Sequence, residues 1–263
     1  MISYSQKMAS LALTTWILLL VNWSVMSWGL NLSPLESSLF GKRLKDIEEA
    51  TRNELKASRA LLDNLGDCPA IVFPGAGGPD QFTDELKATI GDSCVIWDWQ
   101  EHRGSIATAA FDGEAVGETL ADAFVDRQEV HVIGISVGGF CANSMATSLY
   151  NRVPKPLVRL TLLDPFCSRG LLGIGYGAKH FGVNADYAEH FLNTDDPVPS
   201  TNEPLPNCYC VDVTQAPERK IFELPEGESM HCWPVAYYAR VGYRKETLEH
   251  GASNARGLVS RII

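Results

Sequence analysis

The sequence is poor in basic residues relative to acidic ones. Its 22 Lys and Arg stand against 32 Asp and Glu, a formal net charge of −10 at pH 7. No basic patch interleaved with aromatic residues occurs, so a nucleic-acid partner is not expected. Internal repeats and long low-complexity segments are also lacking. With 263 residues, 45% of them hydrophobic, the chain is long enough for one large α/β domain with one core.

Cysteine is too scarce and too spread for a disulfide-built domain. The seven cysteines are an odd number, so at least one stays unpaired within a monomer. Cys94 and Cys141 lie in apolar strand and helix patterns and are predicted to be buried thiols. The first disulfide to test joins Cys208 or Cys210 to Cys232.

The N-terminal segment has no charged residue between Lys7 and Glu36. An apolar centre over 11–21, followed by Ser27 and Gly29, predicts a secretory signal peptide over residues 1–29. The alternative is an uncleaved anchor, because a bilayer needs about 20 apolar residues. Both interpretations place the rest of the chain in a secreted or extracytoplasmic location. Asn31-Leu32-Ser33 is then an acceptor pattern for N-glycosylation.

Residues 30–66 form a predicted helical lead-in. Apolar residues recur at helical spacing between charged ones over 36–65, and Gly66 can end that amphipathic helix. They are Leu44, Ile47, Leu55 and Leu62. We expect this helix to pack on the domain or to act as a stalk.

Residues 67–263 alternate short apolar runs with helical patterns. Such alternation predicts an α/β fold, with a mostly parallel central sheet and helices on both faces. The predicted strands are 70–73, 94–99, the run that ends at Ile135, 158–163, 188–192, 208–213 and 221–224. The predicted helices are 81–89, 113–125 and the segment that follows Gly138. In such a sheet, reactive groups gather beyond the carboxyl ends of the strands.

Gly134-Ile135-Ser136-Val137-Gly138 lies between one of these strands and the helix after it. A G-x-S-x-G pattern in that context is typical of a nucleophile elbow, a sharp turn that exposes a strained serine. Its glycines are needed because side chains there would collide with the neighbouring elements. Ser136 is therefore the predicted nucleophile.

A serine hydroxyl needs a base to take its proton, and the base needs a carboxylate to orient it. Asp164 and His231 follow Ser136 in the chain order of α/β-hydrolases. Asp164 is the preferred acid because it ends a predicted strand, while Asp196 is its rival and Asp212 a poorer third choice. The competing histidines are His102, His131, His180, His190 and His250, among which His180 is the hardest to exclude.

A tetrahedral oxyanion needs two preorganised N–H donors. One is predicted to be Val137 N–H, directly after the nucleophile and at the start of a helix. The other is predicted to be Ala76 N–H, in a glycine-rich turn after a strand. That turn lacks the Lys-Ser/Thr of a phosphate-binding loop. The chemistry requires no metal and no organic cofactor.

The catalytic domain of the pancreatic-lipase and phospholipase A1 family resembles this chain from about residue 70 to 240. The resemblance rests on Trp97-Asp98-Trp99, on 132–138, on Arg159 to Pro165, and on His231 followed by Tyr237-Tyr238. Its Leu-Asp-Pro segment is the most telling part, because that family takes its acid there. The resemblance implies that Ser136, Asp164 and His231 form the triad, with Ala76 and Val137 as oxyanion donors.

Several features depart from that family. Pro74-Gly75 stands where the family usually has His-Gly, and Val137 stands where Leu is common. A C-terminal β-sandwich and a cysteine-bracketed lid are not evident. The expected function is a lipase-like carboxylic ester hydrolase that acts on lipid esters or other small esters. A membrane or lipid interface is a further candidate partner. The alternatives are an acyltransferase or peptidase on the same triad, and a non-catalytic lipid-binding or interaction protein.

Overall fold

The computed structural model describes residues 34–105, 108–170, 173–243 and 255–263. The chain divides into two compact units, residues 1–45 and 46–263. The predicted signal peptide or anchor over 1–29 and the glycosylation pattern at Asn31 lie outside the described residues. Within the described ranges, every helix is too short or too polar to cross a bilayer.

The lead-in forms two consecutive helices, α1 (Pro34–Ala57) and α2 (Arg59–Asp63). Ser58 interrupts them only slightly, because its N–H still donates to Glu54 O and its carbonyl accepts from Leu62 N–H. Within the larger unit, Ile47 and Leu62 are buried. Gly66 follows with φ of 75°, the left-handed conformation expected where a helical segment ends. The predicted amphipathic helix is therefore observed as a nearly continuous helical segment.

The larger unit alternates strands and helices in the predicted order. Its strands are β1 (Ala70–Phe73), β2 (Cys94–Ile96), β3 (Glu129–Ile135), β4 (Leu157–Leu163), β5 (Tyr187–Leu192), β6 (Tyr209–Asp212) and β7 (Val259–Arg261). Its helices are α3 (Gln81–Ile90), α4 (Gln100–Arg103), α5 (Ala109–Ala121), α6 (Gly138–Tyr150), α7 (Tyr176–His180) and α8 (Trp233–Tyr237). Two 3-10 helices, Pro217–Ile221 and Met230–Cys232, precede α8, and a π-helix, Tyr238–Gly242, follows it.

All seven strands form one parallel sheet in the order β2-β1-β3-β4-β5-β6-β7. The central strands are buried on both faces, as expected for strands inside a parallel sheet. Most of their residues are apolar, but β4 and β5 also bury Arg159 and Glu189, which pair with each other. The register pairs Ile135 with Leu163, and Leu163 with Phe191. The carboxyl ends of β3, β4 and β5 therefore lie level at one edge. The α/β class expected from the sequence is confirmed.

At the C-terminal end of the sheet one predicted strand was wrong and one strand was not predicted. Residues 221–224 form no strand; a 3-10 helix ends at Ile221, whose side chain is 83% exposed. The edge strand is β7 instead, which pairs with β6 through Val259 and Cys210. A three-residue strand with exposed side chains carries too little apolar pattern to be recognised. Smaller differences are that β2 ends at Ile96 and that α5 begins at Ala109.

The cysteines are all free thiols, so the expected disulfide between Cys208 or Cys210 and Cys232 is not formed. Cys210 lies on β6, where its thiol donates to Leu205 O, while the Cys232 thiol donates to Ser229 O. Cys94 and Cys141 are buried, as predicted. Their burial raises the pKa of both thiols, which keeps them neutral.

Candidate active site

Ser136 occupies the turn between β3 and α6 in a left-handed conformation, with φ of 52°. Such a conformation is uncommon for a residue other than glycine and persists only where surrounding contacts impose it. Those contacts are backbone hydrogen bonds: Ser136 N–H donates to Leu163 O, and Ser136 O accepts from Gly139 N–H and Phe166 N–H. Strand β4 and the segment after it therefore hold the turn on which the serine sits.

The two glycines of the motif are required by close packing. A Cβ on Gly134 would lie 2.7 Å from Gly139 Cα, and one on Gly138 would lie 2.3 Å from Phe73 O. These distances are shorter than any real Cβ contact, and backbone atoms cannot move aside as a flexible side chain can. The steric reason expected from the sequence for glycine at both positions is thus present in the structure.

The predicted oxyanion donors lie on either side of Ser136. Val137 is the N-cap of α6, so its N–H precedes the hydrogen-bond ladder of the helix. The turn after β1 also approaches the serine, because a Cβ built on Gly75 would lie 3.0 Å from Ser136 Cβ. Ala76 follows directly in that turn, where Gly78 N–H donates to Gly75 O. Both segments that could supply an oxyanion donor therefore flank the hydroxyl.

The Trp97-Asp98-Trp99 segment holds this glycine turn. Trp99 Nε1 donates to Pro74 O at 3.0 Å. Arg103 bridges the remaining gap, because its Nη1 donates to Ala76 O at 2.7 Å and its Nε to Asp98 Oδ1 at 2.9 Å. Arg103 lies on α4, a four-residue helix that is not among the predicted helices. The role of this arginine in fixing the turn was missed, since only the folded chain brings positions 76 and 103 together.

Asp164 lies directly beyond β4 and is also left-handed, with φ of 47°. Its side chain is fully buried. The backbone fixes it from the neighbouring strand, because Asp164 N–H donates to Phe191 O and Asn193 N–H donates to Asp164 Oδ1 at 3.2 Å. Its second oxygen, Oδ2, lies 2.9 Å from His231 Nδ1. The preferred acid thus contacts the preferred histidine.

Asp196, the rival acid, contacts the same nitrogen. Its Oδ2 lies 2.8 Å from His231 Nδ1 and also accepts from Thr201 Oγ1 at 2.8 Å. Its side chain is as buried as that of Asp164. Asp212 is different: its Oδ1 accepts from Thr214 N–H, and its Oδ2 lies 3.6 Å from Arg261 Nε. Both candidate acids therefore lie at hydrogen-bonding distance from the same nitrogen of His231.

His231 lies in the 3-10 helix Met230–Cys232, whose N-cap Ser229 accepts from His231 N–H. Asn193 Nδ2 donates to Met230 O and Trp233 Nε1 donates to Val213 O, which ties this helix to the ends of β5 and β6. The other imidazole nitrogen, Nε2, is buried and has no hydrogen-bond partner. The hydrogen bond between Nε2 and Ser136 Oγ is therefore not formed in this structure.

The other histidines have separate environments. His131 hydrogen-bonds Thr161 Oγ1 at 2.8 Å inside the sheet, and His190 is buried in β5. His180 stacks on Tyr176 at 4.1 Å between ring centroids, and His102 lies on α4. His250 falls outside the described residues.

Burial and charge perturb the three titratable side chains. Loss of solvent raises the pKa of Asp164 to about 7, although its hydrogen bond with His231 opposes the shift. Burial alone would lower the pKa of His231, but its hydrogen bonds to Asp164 and Asp196 and their charges raise it to about 9. Burial also disfavours ionised Asp196, yet hydrogen bonds from His231 and Thr201 lower its pKa overall. The pKa of Asp164 is thus raised while the pKa of Asp196 is lowered.

The three side chains also offer three potential metal-ligand atoms within 4.8 Å of one another. Both carboxylates are directed at His231 Nδ1 at hydrogen-bonding distance, which is the contact of an N–H donor with its acceptors. The geometry is therefore accounted for by proton donation alone, and we assign no metal to it.

Comparisons of the chain with protein-family models, with curated proteins and with solved structures found no match.

Proposed function

We propose that this chain is a serine hydrolase of the α/β-hydrolase fold that cleaves carboxylic esters through an acyl-enzyme. The observation that carries the proposal is the strained backbone of Ser136 and its link to Asp164, the residue that contacts His231. The Ser136 backbone forms hydrogen bonds with residues on both sides of Asp164. Ser136 N–H donates to Leu163 O and Phe166 N–H donates to Ser136 O, and Asp164 lies between those two residues. An unusual backbone conformation at a serine beside a buried Asp-His pair is typical of a nucleophile and its base.

In this mechanism, Ser136 Oγ attacks the acyl carbonyl while His231 Nε2 takes its proton. The carboxylates on Nδ1 fix the tautomer that leaves Nε2 free to accept, and they stabilise the imidazolium that forms. Val137 N–H and Ala76 N–H bind the oxyanion; removing one such donor typically costs about 3 kcal/mol of transition-state stabilisation. His231 then protonates the leaving alcohol, and water releases the acid by the same steps.

The mechanism requires that the hydrogen bond between Ser136 Oγ and His231 Nε2 forms when substrate binds. Catalytic hydrogen bonds are often long before substrate binds, and they tighten in the substrate complex. The unpartnered Nε2 is compatible with this role, because a nitrogen that takes the serine proton must not already be occupied by another donor. In the non-catalytic alternative, a lipid-binding or interaction protein, that nitrogen stays unpartnered.

Lipid esters are the proposed substrate class, on the strength of the sequence resemblance to lipases and phospholipases A1. The exposed Ile174 side chain, which precedes α7, adds an apolar group on the chain segment that follows Asp164. A nitrophenyl-ester series of increasing acyl length, measured beside the Ser136→Ala variant, tests this proposal. Turnover that depends on Ser136 and rises with chain length is expected. Absence of such turnover at every length would favour the non-catalytic alternative.

Acyl transfer and peptide hydrolysis remain alternatives on the same triad. Product analysis with water against alcohol acceptors, and with amide against ester substrates, separates them. We further propose a secreted or extracytoplasmic location, based on the uncharged N-terminal sequence. Mass spectrometry of the mature N-terminus tests it: cleavage near residue 29 is expected for a signal peptide, and an intact Met1 for an anchor.

A further inference from the structure

His231 Nδ1 has two carboxylate partners, while a triad needs one. The distances from Nδ1 are 2.9 Å to Asp164 Oδ2 and 2.8 Å to Asp196 Oδ2, and neither carboxylate side chain is exposed. The two acids come from consecutive strand ends, since Asp164 follows β4 and Asp196 follows β5. The arrangement is thus built by the sheet.

Two ionised carboxylates this close together, out of solvent, repel each other strongly. An imidazolium between them would offset the repulsion, but a protonated His231 cannot act as a base. A state ready for catalysis therefore needs the extra proton on one of the carboxylates. Both carboxyl groups have their Oδ2 atoms on His231 Nδ1, so the extra proton must lie on one of these two groups.

We propose that, of the two carboxyl groups on His231, Asp164 is protonated and Asp196 is the ionised partner of His231 during catalysis. This proposal rests on the proposed serine hydrolase function. The surroundings assign the charge to Asp196: its Oδ2 accepts from the Thr201 hydroxyl in addition to His231, while Asp164 Oδ2 has only His231. Asp164 Oδ1 accepts one long bond, from Asn193 N–H at 3.2 Å.

Neighbouring groups do not supply a competing charge. Arg219 bonds Asn193 Oδ1 and Asp195 Oδ1, so its cation is committed to other oxygens. The Cys167 thiol lies close enough to interact with Asp164, and burial raises the pKa of this thiol to about 12, which keeps it neutral. The raised pKa of Asp164 and the lowered pKa of Asp196 agree with the same assignment.

The proton balance of the reaction follows from this arrangement. Before attack, His231 carries a proton on Nδ1 only, Asp164 is neutral and Asp196 is negative. The Ser136 proton moves to Nε2, and the resulting imidazolium faces the negative Asp196, while Asp164 keeps its proton throughout. The Nε2 proton then leaves with the alcohol, which restores the starting state. Asp164 is in this account a positioning residue that never gives up its proton.

The matched variants are Asp164→Asn and Asp196→Asn, because an asparagine resembles a neutral carboxylic acid in size and shape. In a triad with one acid, that substitution lowers the rate about 10⁴-fold. We expect Asp196→Asn to lower the rate of Ser136 labelling by a fluorophosphonate by a factor of that order, and Asp164→Asn by less than about 10-fold. Asp212→Asn is the control, since Asp212 contacts neither His231 nor its partners.

A readout independent of activity comes from ¹³C NMR of the aspartate carboxyl carbons in the wild-type protein, assigned with the same variants. Asp196 is expected to be ionised and Asp164 protonated at pH 6. The proposal is overturned if Asp164 is the ionised group at that pH, or if Asp164→Asn loses as much labelling as Asp196→Asn. Should wild-type Ser136 not react at all, the hydrolase function fails, while the NMR titration still decides which carboxyl holds the proton.

Discussion

Gly138→Ala tests whether the elbow is held by direct backbone contact. The new Cβ would lie 2.3 Å from Phe73 O and 2.7 Å from Pro74 O, so β1 or α6 must move. Overpacking of this kind costs about 1–3 kcal/mol, and alanine returns at most about 1 kcal/mol through its helix propensity. We therefore expect a net loss of about 1 kcal/mol, which for a domain of this size lowers Tm by about 2–4 °C.

The same shift should disturb chemistry as well as stability. Pro74 precedes the turn that carries Ala76, so moving it separates the two predicted oxyanion donors and lowers the labelling rate of Ser136. The measurement is thermal unfolding by circular dichroism, beside fluorophosphonate labelling at a temperature where both proteins are folded. Gly77→Ala is the control, since its Cβ would meet no atom within 4 Å. Equal Tm values for the two variants would refute the packing argument.

Two further predictions concern the protonation of His231 and the buried hydroxyl of Tyr238. The reactive state proposed above keeps one extra proton on Asp164 beside a neutral His231, and the group of Asp164, Asp196 and His231 loses that proton with the raised His231 pKa of about 9. The labelling rate should therefore fall as the pH rises past about 9, and a rate that is still increasing above pH 9 would contradict this reasoning. Tyr238→Phe removes a buried hydroxyl that donates to Glu189 Oε1 at 3.0 Å and accepts from Arg159 Nη2 at 2.9 Å. Denaturant unfolding should therefore show that the free energy of unfolding decreases by about 1–3 kcal/mol. An unchanged unfolding midpoint would argue against a stabilising role for these hydrogen bonds.

The sequence was sufficient to predict the strand-turn-helix around Ser136 because three signals coincide there. An apolar run, a pair of glycines and a helical pattern each constrain the backbone locally, and the close contacts of Gly134 and Gly138 show why no other residue fits. Local pattern was likewise enough for β1, whose continuous apolar character follows from burial on both faces, and for β4, which is apolar except at Arg159 and Thr161.

Spatial pairings were beyond the sequence. Asp164 and Asp196 each follow a strand. Their order in the sequence does not indicate that the His231 imidazole contacts both of them. Arg103 and Ala76 meet only because β1 and β2 are neighbours with the same direction. The edge strand β7 was missed because an exposed three-residue strand is specified by its partner β6 and scarcely by its own side chains.

The most direct test of the central claim is fluorophosphonate labelling of the intact protein, followed by peptide mass spectrometry to locate the adduct. The account predicts one adduct, on Ser136, which disappears in the Ser136→Ala variant and forms much more slowly when His231 is replaced by alanine. An unmodified Ser136 in folded protein would contradict it.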